Sequence, residues 1–221
     1  QKTGAVRLAN VLTAGDQIAP AVAVNGPGDA AAAWSSTPQT GLFSTVYARR
    51  YDSHGNPRGG EIAVSTLTGG NQQEPTVAID AAGNFVIAWS AYIDSNFGYD
   101  LHLRRFDVNG NALGVETPVS TVNFAIQSGP AIAMSPGGGF VVTWTNSGSS
   151  ASDISARWFN AAGTAITPEI TANVTTANAQ IRPAVAMDAA GNSVIAWTSY
   201  EQAGPGPGIF FRRFDPPGTA L

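Results

Sequence analysis

Tryptophan recurs on a lattice in this chain. Trp34, Trp89, Trp144 and Trp197 lie 55, 55 and 53 residues apart, and Pro20, Pro75, Pro130 and Pro183 keep the same intervals. A glutamine stands three places before each proline, at Gln17, Gln72, Gln127 and Gln180. Arg49, Arg104, Arg157 and Arg212 repeat too, each followed two places on by an aromatic: Tyr51, Phe106, Phe159 and Phe214. Gly55, Gly110, Gly163 and Gly218 complete the set. Six residue types on one lattice mean four copies of one structural unit, and a unit of this length is one supersecondary element that buries its apolar surface against its neighbours.

Each unit reads as four short strands. The first follows the proline, as in AVAVN (21–25) and TVAID (76–80). The second ends at the tryptophan, as in NFVIAWSA; the third carries the arginine, as in LHLRRFD. The fourth is EIAVST (61–66), ETPVST (116–121) or EITAN (169–173). Valine, isoleucine, phenylalanine and tryptophan suit pleated, half-buried surfaces, and glycine or proline bounds each run. The alanine run at 30–34 would suit a helix, but its siblings at 85–89 and 140–144 are β-rich, which assigns it to a strand. Between strands stand Asp80–Asn84, Asp52–Asn56, Asp107–Asn111 and Asp188–Asn192, each with a glycine fourth. Such Asp side chains accept from nearby backbone N–H groups and glycine supplies positive φ, so these are tight turns rather than calcium loops.

Composition narrows the function classes. The chain has no cysteine, which removes disulfides, thiolate metal sites and a cysteine nucleophile. Charged residues are 12% and the net charge is −4, with one lysine (Lys2), so a phosphate-tracking surface for nucleic acid is not expected. No apolar run is long enough to span a bilayer. The two histidines, His54 and His102, occupy non-equivalent positions, and no nucleophile elbow, zinc-protease helix or phosphate loop occurs. No metal or cofactor is expected.

Four four-stranded antiparallel units predict an all-β fold, a four-bladed β-propeller forming one domain over 1–221. The units run approximately 14–68, 69–123, 124–176 and 177–221 plus 1–13. The fourth unit has no counterpart of 61–66, whereas Val6–Thr13 aligns with that stretch at an offset of 55. The expectation is that this amino-terminal strand completes the last blade and closes the ring. On the second strand Phe85, Ile87 and Trp89 alternate with Val86, Ala88 and Ser90, so a large face can wedge against the small face of a neighbouring blade.

The unit, Q-x-x-P-x-V-A followed by a turn, a strand ending in Trp and R-R-F-D-x-x-G, resembles the propeller-type repeats of large secreted or surface bacterial proteins, some of which carry RTX or adhesin modules. That resemblance implies a secreted, periplasmic or cell-surface location with any signal already removed. It brings no calcium site, because the Asp-Gly-Ser stretch after the tryptophan and the glycine-rich nonapeptide are both missing.

Antiparallel order puts the first–second and third–fourth turns on one side and the remaining loops on the other. The first set is uniform; the second differs in every unit (36–45, 90–100, 146–153 and 199–208). Variable loops on a rigid scaffold are where binding residues gather. Candidate ligand contacts are Tyr92, Asp94, Asn96, Tyr99 and Asp100, which suit a sugar or a peptide, and Gln17, Gln72, Gln127 and Gln180 at the channel mouth. The bland alternatives are a solvated loop and glutamines that satisfy loop backbone. The tryptophans are expected in blade packing. The lattice arginines are expected to pair with Glu61, Glu116 and Glu169, and the next position (Arg50, Arg105, Trp158, Arg213) is expected to face solvent. The reading favoured by these features is a non-catalytic extracytoplasmic module with a protein partner. A carbohydrate-binding lectin is the alternative. A glycan-active hydrolase using two of Asp94, Asp100, Asp153 and Glu201 is a third.

Overall fold

A computed structural model describes residues 6–37, 43–67, 69–94, 98–121, 126–148, 151–200, 202 and 204–221. Four separate antiparallel sheets of four strands follow one another along the chain. The first holds β1 (Gln17–Val24), β2 (Ala30–Ser36), β3 (Thr45–Tyr51) and β4 (Ile62–Ala63). The second holds β5 (Gln72–Ile79), β6 (Phe85–Asp94), β7 (Gly98–Phe106) and β8 (Thr117–Pro118). The third holds β9 (Ile126–Met134), β10 (Phe140–Ser147), β11 (Ser152–Phe159) and β12 (Ile170–Thr171). The fourth holds β13 (Gln180–Met187), β14 (Ser193–Tyr200), β15 (Pro207–Asp215) and β16 (Thr219–Ala220). This is the four-bladed, all-β propeller that the lattice predicts, and Ala30–Ser36 is a strand.

The blades stack through alternating faces. Ala31, Ala33, Val46, Ala48 and Val64 of the first blade form one core with Phe85, Ile87, Trp89 and Phe106 of the second. Val86, Ala88, Leu101 and Leu103 of the second meet Phe140, Val142 and Trp144 of the third. Val141, Ile154 and Ala156 of the third meet Ile195, Trp197 and Phe214 of the fourth. Each small face therefore receives the large face of the next blade, with stacked rings such as Phe85–Phe106 (centroids 4.9 Å apart) filling the joint. Consecutive first strands also pack on one another, β5 on β1, β9 on β5 and β13 on β9, so they lie nearest the axis.

The tryptophans are buried, as expected. The arginines behave differently from expectation. Arg104 Nη1 donates to Val64 O (3.0 Å), Arg157 Nη1 to Val119 O (2.8 Å) and Arg212 Nη1 to Ala172 O (3.3 Å). Each thus grips the fourth strand of the preceding blade while its guanidinium lies over its own blade's aromatic ring, at 5.6 Å for Arg104 and Phe106. The lattice glutamates accept from the same neighbouring strand: Glu116 from Thr66 N and Oγ1, Glu169 from Thr121 N (3.1 Å). Arginine and glutamate thus serve the neighbour's backbone rather than each other. The one ion pair among the described residues is Arg58–Asp29, at 2.9 Å.

The next lattice position is not solvent-facing in the first three blades, whereas Arg213 of the fourth is exposed as expected. Arg105 donates to Ala161 O and Ala162 O of the third blade, both at 2.5 Å, and Arg50 reaches Val108 O of the second. Trp158 is buried beneath Gly218 of the fourth. A long or flat side chain here slides under the turn of the next blade. That is why the turn carries glycine: a Cβ on Gly163 (φ +79°) would stand 2.4 Å from Arg105 Cδ.

Ring closure also departs from expectation. The fourth strand beside β15 is β16, from Thr219–Ala220, and residues 6–13 form no strand pairing among the described residues. The ribbon 6–13 lies instead against the first blade, where Arg49 Nη1 donates to Ala9 O (3.0 Å) and Glu61 accepts from Val11 N. It takes the place that a preceding blade's fourth strand would take, without entering the fourth blade's sheet.

Candidate functional site on the loop face

Every first strand contains the same irregularity. The register slips between Ile18 and Ala21, Gln73 and Thr76, and Ile181 and Ala184, and β9 shows the slip opposite Thr143/Thr145. At the slip stand Ala19 (φ 51°), Glu74 (φ 53°), Gly129 (φ 58°) and Arg182 (φ 56°), all left-handed. A side chain costs about 1–3 kcal/mol there, and such bulges re-aim side chains. The conformation is held on both sides. A proline follows immediately, and two residues earlier a glutamine is tied down. Gln72 Oε1 accepts from Trp89 Nε1 (2.8 Å) and Gln72 Nε2 donates to Gly70 O (3.0 Å). Gln17 with Trp34 (2.9 Å) and Gln180 with Trp197 (3.2 Å) repeat the arrangement.

The first strands pack on one another nearest the axis, so these four residues stand at the loop-face end of those strands. Glu74 and Arg182 are exposed there. Glu74 Oε2 accepts from Ser90 Oγ of its own blade (3.2 Å) and from Gly129 N of the next (3.0 Å). Arg182 N donates to Thr145 Oγ1 of the third blade (3.2 Å). The hydroxyl after the tryptophan thus secures the bulge, and the glutamate carboxylate is oriented by two donors on Oε2 while Oε1 accepts no hydrogen bond among the described residues. The same end of the second blade carries the Tyr92–Tyr99 pair (centroids 5.3 Å apart, 70° between planes) and Asp100, whose Oδ1 accepts from Ser120 Oγ (2.5 Å). Gln72, Ala91 and Asp100 are in register, so Asp100 lies two strands outward from the axis, about 10 Å by strand spacing.

The expected ligand contacts therefore separate into groups. Tyr92, Tyr99 and Asp100 come together at one end of β6 and β7. Asp94 ends β6, and Asn96 and Glu201 lie outside the described residues. Gln72, Gln127 and Gln180 are buried, and the Gln17, Gln72 and Gln180 amides serve indole and loop backbone groups. Asp153 Oδ1 accepts from Asn173 Nδ2 at 2.7 Å. Glu74 and Arg182 were missed from sequence. Their signal is the third place of Q-x-x-P, where the lattice reads Ala, Glu, Gly and Arg. That place varies in charge directly before the lattice proline and two places after the lattice glutamine.

The opposite, turn face holds interblade grooves, including one of about 280 Å³ lined by Asp80, Asn84, Arg105, Asp107 and Met134. Its polar groups are already engaged: Asp80 with Asn84, Asp107 with Asn111, Arg105 with the turn carbonyls. Those contacts build the blade joints.

No protein-family model matches the sequence, and no curated protein is significantly similar to it. Solved structures do match. The chain aligns over 92% of its length with the GH93 α-L-arabinofuranosidase of Fusarium graminearum in complex with arabinobiose, at 10% identity and TM-score 0.66, spanning 64% of that chain. It aligns over 93% with the Penicillium chrysogenum α-L-arabinanase complexed with arabinobiose, at 14% identity and TM-score 0.62, spanning 66% of it. A thermostable family-43 glycoside hydrolase matches over 90% of this chain and 71% of its own, at 12% identity and TM-score 0.54. The chain thus spans about two thirds of these structures, and the likeness is one of fold.

That fold is shared with glycoside hydrolases. The finding overturns the expectation of a non-catalytic interaction module with a protein partner, because solved structures that share this fold include glycoside hydrolases, an arabinofuranosidase and arabinanases. No helix is long and apolar enough to cross a membrane among the described residues.

Proposed function

We propose that the chain is a glycan-active hydrolase whose substrate enters the loop face at the mouth of the axis. The observation that supports this most is the Glu74 carboxylate, held in a left-handed bulge by Ser90 and the Gly129 N–H yet open to solvent. Glycosidic cleavage needs two carboxyl groups flanking the bond, one to protonate the leaving oxygen and one to activate water or attack. Glu74 serves as one. Asp100, on the same end of the second blade, or Asp16, exposed beside the first bulge, serves as the other. Arg182 donates to sugar hydroxyls from across the mouth, and the Tyr92–Tyr99 pair offers ring faces to a pyranose or furanose. Arabinose-containing oligosaccharides are the first substrates to test, since two of the similar structures hold arabinobiose.

The test is reducing-sugar release from arabino-, manno- and sialo-oligosaccharides. Glu74→Gln should lower kcat by about 10²–10⁴-fold while the melting temperature stays put. Parallel Asp100→Asn and Asp16→Asn variants identify the second carboxylate. No release from any of these substrates, or full turnover by Glu74→Gln, would discard the reading.

A further inference from the structure

We propose that the glycan bound on the loop face is anionic, a carboxylate on its sugar held by Arg182 while the ring rests over Gly129 beside Glu74. The inference rests on the glycan reading above and names the substrate class that this site selects. The lattice sets the residues in line. Glu74, Gly129 and Arg182 hold the same left-handed place on β5, β9 and β13, and β9 packs against both β5 and β13. Gly129 N donates to Glu74 Oε2 (3.0 Å) and Arg182 N to Thr145 Oγ1 (3.2 Å), so the bulges of β9 and β13 are each fixed to the blade before. Between the two charges lies room. A Cβ on Gly129 would meet no atom within 4 Å among the described residues. Crowding therefore does not demand the glycine, and its missing side chain leaves an open floor with a carboxylate on one side and a guanidinium on the other. Glu74 and Arg182 do not pair with each other.

Arg182 is set apart from the other arginines. The lattice arginines grip neighbouring carbonyls, Arg50 and Arg105 lie under turns, and Arg58 pairs with Asp29. Arg7 donates to Gly55 O in a turn, and Arg213 stands beside Val194 at the turn end of β15. Arg182 is exposed on the loop face, and its guanidinium makes no hydrogen bond or ion pair among the described residues. A long solvated cation on a left-handed backbone adds nothing to the blade joint. Bulges of this kind persist where they aim a side chain at a function. The planar guanidinium fork matches a carboxylate with two parallel N–H···O bonds. Asp16, Asp100 and Asp153 lie at strand ends on the same face and repel an anion. A sugar carboxylate thus has one attractive station, and its place there fixes which bond lies beside Glu74. Uronic acids and sialic acids both carry such a carboxylate.

Titration calorimetry on the Glu74→Gln protein tests it, with oligosaccharides ending in glucuronic acid or in sialic acid, each as free acid and as methyl ester. At least one acid should bind about ten- to a hundredfold more tightly than its ester, the worth of hydrogen bonds to a charged group. The comparison of the two acids tells uronate from sialate. Adding Arg182→Gln should make acid and ester bind equally, and Arg182→Lys should restore part of the preference. Salt should shrink the acid's advantage. Gly129→Asn, a residue that tolerates the left-handed region, should weaken both forms by filling the floor while the melting temperature holds. No binding of either acid, acid and ester bound alike, a preference that survives Arg182→Gln, or full affinity in Gly129→Asn would overturn the proposal. Reducing-sugar release by the unsubstituted protein separates this inference from the hydrolase reading. Selective binding with no release from any probe discards catalysis and leaves the anionic site standing, whereas release without a preference for the acid does the reverse.

Discussion

Leu103 and Phe211 hold the same lattice place in two blades. Leu103 is buried on the small face of the second blade, where Phe140 and Trp144 of the third close over it. Phe211, larger and more apolar, is open on the fourth. The strands around them are equivalent, with the same arginine, aromatic and turn glycine. The difference lies in the neighbour: a propeller blade has no core of its own, and its apolar face gains stability only when the next sheet covers it. Stability should therefore be concentrated in the joints between the first and second, second and third, and third and fourth blades.

The largest break comes from a joint's centre. Trp89→Ala should cost about 3–5 kcal/mol in denaturant unfolding, since it empties a buried ring site and leaves Gln72 Oε1 without its indole donor. A change near zero would mean that Trp89 contributes nothing to the joint. Next comes the matched pair itself. Leu103→Ala should cost about 2–4 kcal/mol. Phe211→Ala should cost within about 0.5 kcal/mol, since the ring is exposed. Equal costs would show that the fourth blade's face is covered after all. Gly163→Ala tests how closely the blades approach at their turns. It imposes a side chain on a left-handed residue lying over Arg105, and about 1–3 kcal/mol should be lost. Gly55→Ala should lose only the conformational part, because nothing lies within 4 Å of its Cβ.

The smallest effects are those of pH. Burial holds His102 below its ordinary range against the opposing pull of Asp100 and Glu116. A depressed histidine is neutral when folded and protonates more readily when unfolded. Its contribution is complete above the unfolded value of about 6.5 and declines as pH falls below it. The melting temperature should drop between pH 7 and pH 5, and His102→Gln should flatten that limb. Hydrogen bonds from the asparagine four residues on hold the turn carboxyls Asp52, Asp107 and Asp188 below their ordinary range. Their contribution is present above about pH 4 and is lost as pH falls further. An Asn111→Ala variant whose acid limb is unchanged would remove Asp107 from that account.

The turns show how local chemistry stays legible. Asp52 Oδ1 accepts from His54 N (2.9 Å) and Asn56 N (2.8 Å), all within five residues, so the motif carries its own geometry. The Trp–Gln bond is legible too, because both partners sit on the lattice. Glu74 was harder. Its importance comes from a bulge whose register slip depends on pairing with β6 and from a Gly129 N–H supplied by the next blade. Neither is written near residue 74.

The sequence by itself determined the repeat, the four strands per unit, the tight turns and the burial of the tryptophans. These depend on residues within one unit, where side-chain alternation and turn chemistry act over a few positions. Only the tertiary structure decided what Arg49, Arg104, Arg157 and Arg212 grip, where the ribbon 6–13 rests and which faces stay open. Those outcomes belong to contacts between blades about fifty residues apart in sequence, set by the angle at which twisted sheets meet.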